Sequence, residues 1–312
     1  MRIIRDGATA ATDERGATVA LGNFDGVHRG HQTVLSAARA ARPDAPLGVV
    51  TFAPHPRRFF QPATPPFELM SPEAKAHRLE KLGVSHLYLL PFDEALAALS
   101  PVAFCERVLV EQLGVAHVTV GADFCFGAKR AGNAETLRAE GARLGFGVTV
   151  APLLRNDVVE ISSTAIRTAL VEGRPELAAA MLGHWHRIEA AVEHGEKRGR
   201  TLGYPTANLP LEGILVPRLG VYAVTVDVLD GAHTGRYAGV ASLGVRPMFG
   251  DNRPNLEVHL FDFAGDLYGA RLSVALVAWQ RPELRFDGIP ALVAQMAEDS
   301  LEARRRLRGA GS

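Results

Sequence analysis

The apolar pattern of this 312-residue chain changes period once, near His184. Before that point, short runs of small and β-branched residues (Ala17–Leu21, Leu47–Phe52, His86–Leu90, Val115–Val120, Gly147–Ala151) alternate with stretches whose apolar residues recur at helical spacing. After it, Tyr222, Val224, Val226 and Val228 alternate with Ala223, Thr225 and Asp227, and Leu272, Val274 and Leu276 repeat the pattern. The first texture predicts an α/β domain, a parallel sheet with helices on both faces. The second predicts an antiparallel β-barrel, followed by a C-terminal helix over Asp287–Arg308 that carries Ile289, Leu292, Val293 and Met296 on one face. The expected domains are therefore residues 1–183 and 184–312, and the length allows two.

Helix starts in the first half are marked by Ser71-Pro72 and Ser100-Pro101, and further helices are expected over Asn133–Leu144 and Arg174–Leu182. In the helix after Ser100, Cys105 shares an apolar stripe with Val102, Leu109 and Leu113, so it reads as core. The other thiol, Cys125, makes no CxxC and no disulfide framework with it, which predicts reduced cysteines and a cytoplasmic protein. Lys and Arg balance Asp and Glu at 34 each, which gives no bulk charge for nucleic acid or an anionic membrane. Met1–Ala10 has no apolar signal core, and no apolar run is long enough to span a bilayer. The basic Arg304–Arg306 run reads as cations at a helix C-terminus.

In the first half, the stretch Gly22-Asn23-Phe24-Asp25-Gly26-Val27-His28-Arg29-Gly30-His31 stands between a predicted strand and a predicted helix, Gln32–Ala41. Its glycines let the backbone turn sharply and approach a ligand. A helix N-terminus favours negative charge, and His28 and His31, three residues apart, add two donors on one side: a site for phosphate. The same pair could be half of a zinc site or two surface histidines, although no further Cys or His cluster with ligand spacing follows. His55, Arg57 and Arg58 follow the Leu47–Phe52 strand in a Pro-rich stretch where Pro54 and Pro56 are expected to break regular structure. Ser163, Thr164 and Arg167 open another helix after a strand, either as a plain cap or as hydroxyls and a guanidinium for phosphate oxygens. Two such ends in one sheet would make one anion-binding crevice.

In the second half, Gly195, Gly199 and Gly203 make a loop with Lys197, Arg198 and Arg200, suited to polyphosphate or simply a solvated basic turn. Thr206 and Asn208 offer hard oxygens that suit Mg²⁺ bound to ATP. Glu257 alternates with Val258 on a strand, where a carboxylate can accept a hydroxyl proton or simply face water.

The strand–HxGH–helix arrangement resembles the nucleotidyltransferase superfamily. GNFDGVHRGH, TFAPHP, VGADFCFG and ISSTAIR, in this order, resemble the adenylyltransferase module of the bacterial bifunctional riboflavin kinase/FAD synthetases. HGEKRGRTLGYPTANLPL, GVASLGVRPMFG and LEVHLFDFAGDLYG resemble the riboflavin kinase module of the same family. The resemblance implies that riboflavin is phosphorylated by ATP to FMN and that FMN is then adenylylated to FAD with release of pyrophosphate. In the first module it implies Gly22, Asn23, Phe24, His28, His31, Ser163, Thr164 and Arg167 as ATP contacts, the two histidines as catalytic, and His55 and Asp123 near the flavin. In the second it implies Gly195, Lys197, Gly199, Tyr204, Pro205, Thr206 and Asn208 around ATP, with Thr206 and Asn208 at the magnesium and Glu257 as general base. The implied partners are riboflavin, FMN, FAD, ATP and its Mg²⁺. The flavins serve as substrate and product, so no tightly bound prosthetic group, nucleic acid or membrane is implied, and a transient homo-oligomer stays open. This chain has Ala122, Cys125, Ser242, Met248 and Ala190 where the family often has Pro, Arg, Asn, Thr and Gly.

Overall fold

The computed structural model describes residues 1–5, 8–152, 161–194, 202–248 and 251–309, with backbone only at 246–248 and 251–252. The chain forms two units, Met1–Thr64 with Lys75–Ile161, and Pro65–Ala74 with Ser162–Ser312.

In the first unit, β1 (Arg2–Ile4), β2 (Thr18–Leu21), β3 (Leu47–Ala53), β4 (His86–Pro91), β5 (His117–Gly121) and β6 (Gly147–Ala151) build one sheet in the order β1-β4-β3-β2-β5-β6. Every pairing in it is parallel. Strands covered on both faces are apolar throughout, and all four residues of β2 are buried. The sheet residues Val19, Leu21, Val50, Val118 and Val120 share one core with Leu109, Leu113 and Leu137. From β2 the chain builds β3 and β4 to one side, and β5 and β6 to the other. Ligands bind at such a switch point, outside the carboxyl ends of the strands.

Helices α1 (Arg29–Ala41), α2 (Pro56–Phe60), α3 (Pro72–Lys81), α4 (Glu94–Ala97), α5 (Pro101–Ala103) and α6 (Ala134–Leu144) follow along the chain. The capping expectations hold: Ser71 Oγ accepts from Ala74 N at 3.2 Å and Ser100 Oγ from Ala103 N at 3.1 Å, while Asn133 Oδ1, ahead of α6, accepts from Glu135 N and Thr136 N, both at 3.0 Å. Such a cap stabilises by about 1 kcal/mol. α5 continues as a π-wound segment, Phe104–Gln112. Cys105 lies fully buried in it, and burial pushes its thiol pKa up to about 12, as expected of a core side chain. β1, α2 and α4 are not expected from the sequence pattern. β1 has only three residues, too few to show a period. α2 forms in the Pro-rich stretch because Pro56 stands at the first helical position, where its missing N–H costs nothing.

The second unit contains α7 (Ser163–Val171), α8 (Pro175–Leu182), β7 (Arg187–Ala191), β8 (Ala207–Pro210), β9 (Gly220–Val228), β10 (Gly235–Met248), β11 (Asp251–Leu260), β12 (Arg271–Arg281) and α9 (Ile289–Gly309). The strands run in the order β7-β12-β9-β10-β11-β8, all pairings antiparallel. Glu193 N donates to Asn208 O at 2.9 Å, which brings the chain after β7 against β8 and nearly closes the barrel. The interior is filled by alternate residues, among them Tyr222, Val224, Val226, Leu243, Leu256, Val258, Val274 and Leu276. α9 packs on the outer face through Ala303, against Ala223, Phe261 and Ala278. Its basic run is used locally: Arg304 pairs with Asp262, and Arg305 and Arg306 pair with Glu302.

Candidate active sites

The stretch after β2 turns through three left-handed residues, Phe24 (φ 51°), Gly26 (φ 81°) and Val27 (φ 44°). A left-handed β-branched residue is strained, and such strain persists only where the surroundings hold it. Two donors hold this loop at Asn23: its carbonyl accepts from Thr51 Oγ1 at 3.0 Å and from Lys75 Nζ at 2.9 Å. The loop ends at His28, which caps α1 by accepting His31 N at its Nδ1, 3.3 Å away. The helix thus starts three residues earlier than its apolar spacing suggests. An acceptor Nδ1 places the proton of a neutral His28 on Nε2, so that ring presents a donor. The His28 and His31 rings stack with centroids 3.6 Å apart, and the Phe24 ring lies 4.9 Å from that of His31. A Cβ at Gly30 would come within 3.1 Å of the His28 ring, so a side chain there would need that ring to give by a few tenths of an ångström. Burial, then the neighbouring His28, then the Lys75 ammonium hold the pKa of His31 well below the ordinary histidine value. His31 is therefore neutral at physiological pH, and its Nδ1 is buried without a hydrogen-bond partner.

His55 follows β3 and caps α2, its Nδ1 accepting Arg57 N at 3.1 Å. Asp123 follows β5 and is exposed. Because β3, β2 and β5 are adjacent and parallel, His55, the histidine loop and Asp123 all leave the same edge of the sheet. Cys125 lies two residues on, its thiol 3.7 Å from Asp123 O. Ser163, Thr164 and Arg167 belong to the second unit. There Ser162 caps α7, accepting Ala165 N at 3.2 Å, and Arg167 Nε donates to Phe67 O at 2.8 Å.

In the barrel, Asn208 on β8 stands directly opposite Glu257 on β11, and Glu257 directly opposite Ser242 on β10. Their flanking residues Ala207, Leu209, Leu256, Val258, Ala241 and Leu243 point into the core. Asn208, Glu257 and Ser242 therefore form a row on the outer face of the barrel wall, with neighbouring Cβ atoms about 5 Å apart. Asn208 Oδ1 accepts from Asn255 Nδ2 at 3.4 Å, and Asn208 is buried. One strand period from Glu257, His259 pairs its Nδ1 with Pro205 O at 2.9 Å, and its ring lies 5.1 Å from Tyr204. A carbonyl can only accept, so Nδ1 carries the proton. His259 thus fixes Tyr204 and Pro205 beside the row. Gly195, Lys197 and Gly199 lie outside the described residues, as does the side chain of Met248.

Three residues of these sites are not read as functional from the sequence: Lys75, which lies in none of the quoted stretches, and Thr51 and His259, which lie within TFAPHP and LEVHLFDFAGDLYG. His259 could have been found by its i+2 spacing from Glu257. Lys75 and Thr51 come from separate elements, and only the folded sheet brings them to Asn23. Among the described residues no group of three or more His, Cys, Asp or Glu is placed to hold a metal ion, so nothing completes the zinc alternative for the histidine pair.

The FAD synthetase family model matches residues 10–165, and the riboflavin kinase family model matches residues 182–307. A bifunctional riboflavin kinase/FMN adenylyltransferase of Pseudomonas fluorescens is 42% identical over 307 residues, 97% of each chain. The protein of that description from Escherichia coli K12 is 40% identical over 93% of each chain, and the one from Bacillus subtilis 39% identical over 92% of this chain and 91% of its own. A crystal structure described as a macrolide-efflux protein from Streptococcus pneumoniae superposes with a TM-score of 0.83 at 32% identity, covering 97% of this chain and 98% of that one. Among the described residues no helix is long and apolar enough to cross a membrane. The chain belongs to the bifunctional riboflavin kinase/FMN adenylyltransferase family.

Proposed function

We propose that the two sites described above carry the two reactions of this enzyme, adenylylation in residues 1–183 and phosphorylation in residues 184–312. The enzyme has riboflavin kinase and FMN adenylyltransferase activities, using ATP and producing FMN and FAD. In the kinase reaction the Glu257 carboxylate takes the proton of the riboflavin 5′-hydroxyl as its oxygen attacks the γ-phosphorus and ADP leaves. Thr206 and Asn208 hold the ATP-bound Mg²⁺, and Tyr204 and Pro205 line the nucleotide with Gly195, Lys197 and Gly199. The donor set fits a hard cation: the hydroxyl of Thr206 and the amide oxygen of Asn208. When bound, Mg²⁺ neutralises phosphate oxygens and orders the ATP.

In the adenylyl transfer a phosphate oxygen of FMN attacks the α-phosphorus of ATP, and pyrophosphate leaves. His28 donates through Nε2–H, and His31 donates from its neutral ring, to oxygens on which charge grows. Gly22, Asn23 and Phe24 bring backbone close to the nucleotide, and His55 and Asp123 contact the flavin. The observation that carries this assignment is the cross-strand register of Glu257 with Asn208, which sets a carboxylate beside an amide oxygen on one rigid face.

Incubation with riboflavin, ATP and Mg²⁺, followed by separation of the flavins, tests the reading. FMN should appear first and FAD after it, and excess chelator should suppress both. Accumulation of FMN with no FAD would show that adenylyl transfer is lost, with Cys125 the first residue to examine. Full activity in chelator would remove Mg²⁺ from the account.

A further inference from the structure

Lys75 is buried at 5% exposure on α3, yet no part of either family motif contains it. A buried ammonium is costly unless hydrogen-bonded, so its position is informative. Its Nζ donates to Asn23 O at 2.9 Å, and Thr51 Oγ1 donates to the same oxygen at 3.0 Å. That carbonyl immediately precedes left-handed Phe24, the first of the three left-handed residues before His28. We infer that Lys75 is a positioning residue for adenylyl transfer, pinning the Asn23 carbonyl together with Thr51 so that the strained loop delivers His28 and His31, and setting a fixed positive charge beside that pair. The inference rests on the assignment of His28 and His31 to ATP phosphates.

Two consequences separate this role from plain packing. The first is geometric: loss of either donor loosens the loop, and misplaced donors lose rate. The second is electrostatic. The groups whose charge acts on His31 are His28 on its own turn and Lys75 from α3. A nearby positive charge disfavours imidazolium, so removing the Lys75 charge raises the pKa of His31. The acid limb of the adenylylation profile then moves to higher pH, because the neutral ring is lost earlier as pH falls.

The test measures FMN adenylylation against pH in the full-length protein, with riboflavin kinase activity of the same sample as the folding control. Lys75→Gln removes the charge and, with its shorter side chain, draws the donor back from the Asn23 carbonyl. Thr51→Val removes the other donor and leaves the charge. Both should lower kcat for adenylylation about 10-fold or more while kinase activity stays at the wild-type level. Only Lys75→Gln should move the acid limb upward, and Lys75→Arg should return the limb toward its wild-type place. If Lys75→Gln leaves the limb where it is, or if neither variant slows adenylylation while His28→Ala does, the inference is overturned. If His28→Ala and His31→Ala are themselves without effect, the phosphate assignment fails, and the inference with it.

Discussion

The two sites are held in opposite ways. The histidine pair sits on a loop with strained backbone, whose shape depends on donors from two other elements, Thr51 on β3 and Lys75 on α3. The Asn208–Glu257 pair sits on two regular strands, and its spacing follows from ladder register. The loop can bring backbone close to a triphosphate, which a flat strand cannot. The strand pair needs no support beyond the sheet, and its geometry is fixed for as long as the barrel is folded. The loop site should therefore be damaged by changes to its anchors as well as to its reacting groups. The strand site should respond mainly to the reacting groups themselves.

The largest expected effect is on the strand side. Glu257→Gln keeps size and removes the base, and riboflavin phosphorylation should fall by about 10²–10⁴-fold. Adenylylation of supplied FMN should survive in the same preparation. Loss of both activities from a folded protein would erase the separation of the sites. On the loop side, His28→Ala or His31→Ala should each cost adenylylation roughly 10²–10³-fold. FMN should then accumulate from riboflavin with little FAD, and equal losses in both steps would contradict the assignment. A smaller effect sharpens the contrast. Gly30→Ala places a methyl within 3.1 Å of the His28 ring without touching a donor. Adenylylation should drop by about 10-fold, since the ring must shift, while kinase activity is unchanged. Wild-type adenylylation in Gly30→Ala would mean that the histidine stack does not need its observed geometry.

A further expected effect is on stability, in the second unit. His186 is buried, with its Nε2 paired to Leu69 O at 2.9 Å and its Nδ1 unpartnered. Burial lowers its pKa to about 4 from the ordinary 6.5. The unfolded chain therefore takes up a proton at higher pH than the folded one. The contribution is intact above pH 6.5 and is lost progressively as pH falls toward 4, to a total of about 3 kcal/mol. Thermal melting across that window should decline less steeply for His186→Gln than for the natural chain. Identical slopes would show that another group governs the acid side.

Much of the fold is legible in sequence, and the reason is period. Runs such as Val19–Leu21 or the alternation from Tyr222 to Val228 report burial directly. Caps such as Ser71 and Ser100 are local chemistry and equally readable. What escapes is whatever depends on partners far along the chain. Glu257 has the same alternating neighbours as any half-exposed strand residue, and only pairing with β8, 49 positions earlier at Asn208, brings an amide oxygen to its side. Lys75 reads as one polar residue on a helix, and its role appears once α3 reaches Asn23. α2 escapes for a different reason: a proline that breaks a helix interior is well suited to its first turn. The boundary near His184 marks the change of period, whereas Pro65–Ala74, α7 and α8 group with the barrel. A fragment beginning at His184 lacks the buried Met181 and Leu182 that a fragment beginning at Ser162 keeps. It should phosphorylate riboflavin and melt at lower temperature than a fragment beginning at Ser162.

The central claim is that two independent sites act in sequence on one flavin, and mixing two proteins that each lack one activity tests it most directly. Glu257→Gln alone should convert little riboflavin to anything, and the His28→Ala, His31→Ala double variant should stop at FMN. Combined with riboflavin, ATP and Mg²⁺, the two should restore FAD, because FMN made by one is adenylylated by the other. FMN that accumulates in the mixture without FAD, while Glu257→Gln still adenylylates supplied FMN when assayed alone, would contradict the account.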